Sequence, residues 1–123
     1  MNTVIIGIGS NIAPEKNIPL AMEFLKEKVS IEKISALART LPIGIADQPD
    51  FINGAVKIST HLSKEELQLF LKMVEDRTGR DRSQPRYGPR TIDLDIVIWN
   101  GEIIDPDYYS REFLQAAIAE IFD

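Results

Sequence analysis

Two amphipathic helical stretches, each set between runs of strand-forming residues, constrain the fold of this chain more than any other feature. Residues 3–8 form a short β-type run that ends in the turn Gly7-Ile8-Gly9-Ser10-Asn11. Pro14 can open a helix, and Ile18, Met22, Leu25 and Val29 then recur every three or four residues along one face. Pro19 is expected in the first turn of that helix or at a kink. Residues 31–39 alternate loosely and read as a second strand, residues 40–50 as a long loop rich in turn formers, and residues 51–59 as a third strand. On that third strand Ile52, Val56 and Ile58 point one way, and Phe51 and Asn53 the other. Ser63 and Glu66 fit a capping box that starts a second helix through Leu67, Phe70, Leu71 and Val74. Gly79 suits the residue just past its end.

A fourth strand, residues 93–99, reaches Asn100-Gly101, a type I′ hairpin signal that returns through Glu102-Ile103-Ile104. Phe113, Leu114, Ala117, Ile118 and Ile121 describe a final helix, with Ser110 as its expected cap. The order β-α-β-β-α-β points to an α+β fold: a ferredoxin-like antiparallel sheet with two helices on one face, plus a short hairpin strand and a C-terminal helix. Residues 1–123 are read as a single domain, large enough for one core and too small for two.

The composition excludes several function classes. A net charge of −5 argues against a nucleic-acid binder, and no apolar run reaches the roughly 20 residues that span a bilayer. The first residues lack the basic start of a signal peptide. With no cysteine there is no disulfide or thiolate metal site, and a cytoplasmic protein, monomeric rather than oligomeric, is expected.

The fourth strand begins with Asp93 and Asp95, which share a face and lie roughly 7 Å apart along it. Such a pair repels unless a cation or proton sits between them. Just upstream, Arg77, Arg80, Arg82, Arg86 and Arg90 place five of the seven arginines within fourteen residues. Fixed anions beside clustered cations suit metal-bound polyphosphate, and oxygen-only ligands favour Mg²⁺ over zinc. Phe51 and Asn53 together suggest a ring-stacking wall beside an amide that can both donate and accept. Gly7-Ile8-Gly9 lacks the third glycine of a dinucleotide fingerprint, and no Gly-Lys-Ser/Thr phosphate loop occurs. The single histidine, His61, reads as plain surface.

Four blocks give the chain a specific resemblance: Gly9-Ser10-Asn11; Arg39-Thr40 through Asp47-Gln48-Pro49-Asp50-Phe51-Ile52-Asn53; Gly79-Arg80-Asp81-Arg82; and Tyr87-Gly88-Pro89-Arg90-Thr91-Ile92-Asp93-Leu94-Asp95-Ile96. They resemble the 6-hydroxymethyl-7,8-dihydropterin pyrophosphokinases of folate biosynthesis, continuously over residues 3–104 and more weakly over residues 111–121. The resemblance implies transfer of diphosphate from ATP to the hydroxymethyl oxygen of a reduced pterin, with release of AMP. It further implies that Asp93 and Asp95 hold two Mg²⁺ ions on the ATP phosphates. Phe51 and Phe113 would sandwich the pterin, Asn53 would bond its edge, and the backbone at Thr40 and Ile43 would complete that site. Arg80, Arg82 and Arg90 would neutralise the phosphates, Arg111 and Glu75 would contact the nucleotide, and Asp95 is the candidate base.

The chain departs from the family pattern in carrying Tyr87 in place of a frequent Trp and Ser83 in place of a basic residue. Asp105-Pro106-Asp107-Tyr108-Tyr109-Ser110 stands where a longer loop with a Pro-His pair is usual, and residue 123 stands where typical members continue. Nucleotide affinity is therefore the expected weak point, and the alternative is a relative that binds pterin or nucleotide with weak turnover or none.

Overall fold

The computed structural model describes residues 1–85 and 88–123, so the expectations placed on Arg86 and Tyr87 lie outside the described residues. Among those described, the chain runs β1 (Asn2–Ser10), α1 (Pro14–Leu25), β2 (Ser30–Ile34), β3 (Ala38–Thr40), β4 (Phe51–Thr60), α2 (Lys64–Arg77), β5 (Asp93–Trp99), β6 (Glu102–Ile103), α3 (Asp107–Ser110) and α4 (Glu112–Ile121). The strands make one antiparallel sheet in the order β2-β4-β1-β5-β6, with β3 also paired to β4. The fold is α+β. No helix among the described residues is long and apolar enough to cross a membrane.

Core residues lie on both faces of the sheet. On one face, Ile18, Met22 and Leu25 of α1 and Leu67, Phe70 and Val74 of α2 pack against Val4, Ile6, Val56 and Ile58. On the other, Leu114, Ala117, Ile118 and Ile121 of α4 pack against Ile5, Ala55, Val97 and Ile98. The expected pairing of two helices on one face is met by α1 and α2, while α4 takes the opposite face. Central strands covered on both sides need apolar residues at successive positions, and Val4-Ile5-Ile6 supplies them. The β1–β5 register shifts between Ile5, opposite Ile98, and Ile6, opposite Ile96. Val97 is the extra residue of this bulge, which lets Val97 and Ile98 both join the α4 side.

Local signals account for most boundaries. Ser63 Oγ accepts from Glu66 N at 3.1 Å while Glu66 Oε1 accepts from Ser63 N at 2.9 Å, so the capping box forms. Gly79 follows α2 at φ 99°, and the hairpin turn places Asn100 at φ 48° and Gly101 at φ 84°, the left-handed pair of a type I′ turn.

Several features differ from the sequence reading: the first strand does not turn at Gly7 but continues through Ser10, paired along β4. The first helix stops at Leu25 rather than continuing to Val29, because Leu25 O takes both Lys28 N and Val29 N and closes a turn. Pro19 lies inside α1, which continues through it. The expected second strand is split into β2 and β3, and Ser35 stitches the break to β4: its N donates to Ala55 O, and its Oγ accepts from Ala55 N, each at 2.9 Å. Ser110 ends the one-turn helix α3 and donates to Asp107 O, so Arg111 occupies the N-cap position of α4 without a side-chain cap bond.

Candidate active site

The face that carries α4 is only partly covered. Along it, β1 runs between β4 and β5 with glycines at two successive face positions. Gly9 lies opposite Asn53 on β4 and Asp93 on β5, and Gly7 lies opposite Ala55 and Asp95. A Cβ on Gly7 would touch Val97 Cγ2 and Leu114 Cδ1 at 3.4 and 3.5 Å, so α4 covers this end of the sheet. Beyond it the bare backbone at Gly9 is the floor of a cavity of about 300 Å³. Phe51, Asn53, Thr40 and Ile43 line one side, Asp93 and Asp95 the other, and Arg111 and Phe113 at the start of α4 close it below.

The floor must be glycine for a spatial reason. A Cβ at Gly9 would meet Asn53 Oδ1 at 2.5 Å, well inside van der Waals contact. The Asn53 amide can therefore lie against β1 with its Nδ2 donating to Thr40 Oγ1. Phe51 pairs with Thr40 across β3–β4, which ties the apolar wall to the same strand.

Asn11 connects the two rims. Its Nδ2 donates to Gln48 Oε1 at 2.9 Å and to Pro49 O at 3.0 Å. Its Oδ1 accepts from Arg90 N at 2.8 Å, and its own N donates to Arg90 O at 3.1 Å. Arg90 is buried, with Nη1 bonded to Gly88 O and Pro89 O at 3.2 Å. Burial, and then the neighbouring Arg80 charge, pull its pKa below the ordinary arginine value.

Three further arginines of the cluster, Arg77, Arg80 and Arg82, occupy different places among the described residues. Arg80 lines the cavity and pairs with Glu75 at 3.1 Å and Asp93 at 3.5 Å. Arg82 turns instead toward α2, bonding Asp76 at 2.9 Å and Glu75 at 3.1 Å, and lines a second, open groove between α2 and the β5–β6 hairpin. Arg77 lies away from both: it grips Glu27 with two bonds of 2.7 and 3.0 Å and stacks 4.0 Å over Phe24. Glu75 is buried beneath Arg80 and Arg82, and its pKa is raised, chiefly by burial, against the pull of the Leu94 N–H and Arg80.

Asp95 is pushed up to about 7, first by loss of solvent around the carboxylate and then by Asp93, Asp105, Glu75 and Asp107. Its surface is open, but it opens into a concave site. Asp105 and Asp107, which line the cavity, carried no role in the sequence reading; the repeat of an acid-x-acid spacing after the hairpin was the available signal. Asp107 also pairs with Arg111 at 3.3 Å. His61 is exposed, as expected.

Arg80, Asp93, Asp95 and Asp105 line both the cavity and the groove. They form the seam between a compact chamber and a longer trench. Among the described residues no three acid, histidine or cysteine side chains converge to hold a metal. Two carboxylates beside open space nevertheless fit Mg²⁺, which commonly takes one or two protein carboxylates and completes its shell with phosphate oxygens and water.

A family model described as 7,8-dihydro-6-hydroxymethylpterin-pyrophosphokinase matches residues 5–123. The chain belongs to this family. It is 38% identical to the 2-amino-4-hydroxy-6-hydroxymethyldihydropteridine pyrophosphokinase of Bacillus subtilis (strain 168), across 98% of this chain and 78% of that protein. Identity to the enzyme of the same name from Aquifex aeolicus (strain VF5) is 39%, across 85% of this chain and 65% of that protein. A folate synthesis bifunctional protein of Arabidopsis thaliana is 37% identical across 96% of this chain, which spans 26% of that protein's length. The segment before Arg111, expected to be short for the family, is where α3 brings Asp107 to the cavity wall.

Proposed function

We propose that this protein is a pyrophosphokinase that moves diphosphate from ATP to the hydroxymethyl oxygen of 6-hydroxymethyl-7,8-dihydropterin, a step of folate biosynthesis. The observation that carries this reading is the seam: three acids and an arginine stand where a ring-sized chamber meets a trench. A two-substrate transfer needs that layout, because the acceptor oxygen and the phosphorus it attacks must meet in line.

The acceptor pterin belongs in the chamber, between Phe51 and Phe113 with Asn53 and the backbone of Thr40 and Ile43 at its edge. The nucleotide belongs in the trench, with Arg82 along it and Glu75 beneath; Arg111 lines the chamber and would meet the nucleotide only from that side. Arg80 and Arg90 face the transferred group and stabilise charge that builds on it. The new bond joins the pterin oxygen to the β-phosphorus; the bond from that phosphorus to the bridging oxygen of AMP breaks. Asp95 is the assigned acceptor of the hydroxyl proton. Mg²⁺, as two ions held by Asp93 and Asp95, supplies positive charge to the phosphate oxygens when bound.

The strand order β2-β4-β1-β5 with two crossover helices on one face supports a ferredoxin-like plan. The net charge of −5 supports small-molecule partners rather than nucleic acid, and a monomer in the cytoplasm is the proposed setting.

Incubation with ATP, Mg²⁺ and the reduced hydroxymethylpterin should release one AMP per pterin diphosphate formed. Binding of both ligands without AMP would replace this reading with that of a binding relative. The Gly9 floor provides a second check. In Gly9→Ala the new methyl displaces the Asn53 amide, whose side chain can rotate, so folding should survive while the pterin edge loses its partner. We expect the KM for the pterin to rise about tenfold, with the KM for ATP and the melting temperature nearly unchanged. Equal effects on both KM values would reject this account of the floor.

A further inference from the structure

We propose that Glu75 is a positioning residue: it fastens the arginines to the backbone between the two aspartates and keeps Arg80 from neutralising Asp93. This rests on the assignment of Asp93 and Asp95 to Mg²⁺ and of Arg80 to the transferred phosphate, and it replaces direct nucleotide contact as the role of Glu75.

The argument is geometric. Glu75 is 5% exposed, and both of its oxygens are already in use. Oε2 accepts from Leu94 N at 2.9 Å and pairs with Arg80 Nη1 at 3.1 Å; Oε1 accepts from Arg82 Nη2 at 3.1 Å. Leu94 N is the amide between Asp93 and Asp95, so one carboxylate sets the position of the acidic strand and the direction of two guanidinium groups. The backbone adds to the lock, since Arg80 N donates to Glu75 O at 3.1 Å.

The same Arg80 Nη1 lies 3.5 Å from Asp93 Oδ1, farther than from Glu75. Arg80 thus stands between two carboxylates and leans toward the buried one. With Glu75 uncharged, Arg80 has only Asp93 to pair with and moves onto it. The cation then has to compete with a guanidinium for its ligand, and the phosphate loses an aligned donor. Groups behind metal ligands commonly act in this way.

Glu75→Gln tests the inference, because glutamine keeps the size and the acceptor for Leu94 N but removes the charge. The expected result is a kcat lower by about ten- to a hundredfold, a half-saturating Mg²⁺ concentration raised about tenfold, and a pterin KM within twofold of wild type. A readout independent of turnover is the NMR signal of the Arg80 Nε–H, a buried group. It should exchange slowly with solvent in the wild type and quickly in the variant.

Wild-type kcat and Mg²⁺ dependence in Glu75→Gln would overturn the proposal. So would a rise confined to the ATP KM with an unchanged Arg80 signal, which is the signature of direct nucleotide contact. Should the variant not fold, the wild-type signal still decides: rapid exchange of Arg80 Nε–H would show that the arginine is not held. Should the wild type show no turnover, the functional reading fails, and the Arg80 comparison between wild type and Glu75→Gln continues to test the clamp.

Discussion

Asp95→Asn is expected to abolish AMP release, with a loss of at least about a thousandfold, and at the same time to stabilise the metal-free protein above neutral pH. The activity loss follows from removing a proposed metal ligand and proton acceptor in one change. The stability gain follows from the pKa of about 7 for Asp95, well above its ordinary value of 3.8. Between those two values the folded protein holds a proton that the unfolded chain has already released. Stability therefore falls as pH rises from about 4 to about 7, and above that the full penalty of a charged carboxylate among Asp93, Asp105, Glu75 and Asp107 is present. Asparagine carries no such penalty. Melting curves in EDTA from pH 4 to pH 8 should show wild type and variant converging at the acid end and separating toward neutrality, with the variant higher. Parallel curves would contradict this. Mg²⁺ should narrow the gap by raising the wild type alone, since a bound cation favours the ionised carboxylate.

Arg80→Ala should damage both folding and chemistry. It removes the guanidinium aligned with the seam, at an expected cost of about a hundred- to a thousandfold in kcat. It also strips a buried carboxylate of one of its charge partners: the Arg80 and Glu75 side chains are only 14% and 6% exposed. Breaking such a pair costs about 3 kcal/mol, or roughly 10 °C in melting temperature for a domain of this size. Arg82 and the Leu94 N–H remain on Glu75, which sets the cost at the lower end for buried pairs. Arg80→Lys separates the two effects. A lysine restores a charge beside Glu75 and should recover most of the stability, but a single ammonium lacks the fork that serves Glu75 and Asp93 together. Its kcat should stay within about tenfold of the alanine variant. Full recovery of turnover by lysine would mean that charge alone, not aligned donors, is what the reaction needs.

Features legible in the sequence were those decided by neighbours. The Ser63–Glu66 capping box, Gly79 and the Asn100-Gly101 turn each rest on a few adjacent residues, and each formed as read. Asp93 and Asp95 were placed on one face by strand geometry alone, and Phe51 and Asn53 likewise, so both sides of the chamber could be named before their separation was known. What could not be read depends on distant partners. Arg82 turns back toward α2 because Asp76 and Glu75, six and seven residues behind it near the end of that helix, accept from its guanidinium, a competition that spacing does not rank. Ser110 lost its expected capping role because the short segment before it coils into α3 instead. The same coil brings Asp107 toward Asp95, and β6 pairing brings Asp105, so two of the carboxylates that raise Asp95, one of them the largest contributor after Asp93, come from a stretch that reads as mere connection.

Asn11 gives the site a mechanical property as well as a chemical one. One amide side chain and its own backbone N–H reach Gln48 and Pro49 on one rim and Arg90 on the other. Neither rim can swing away without stretching the same short tether. Under the proposed assignment, a ligand that holds the ring-binding rim should also restrain the phosphate rim through this tether.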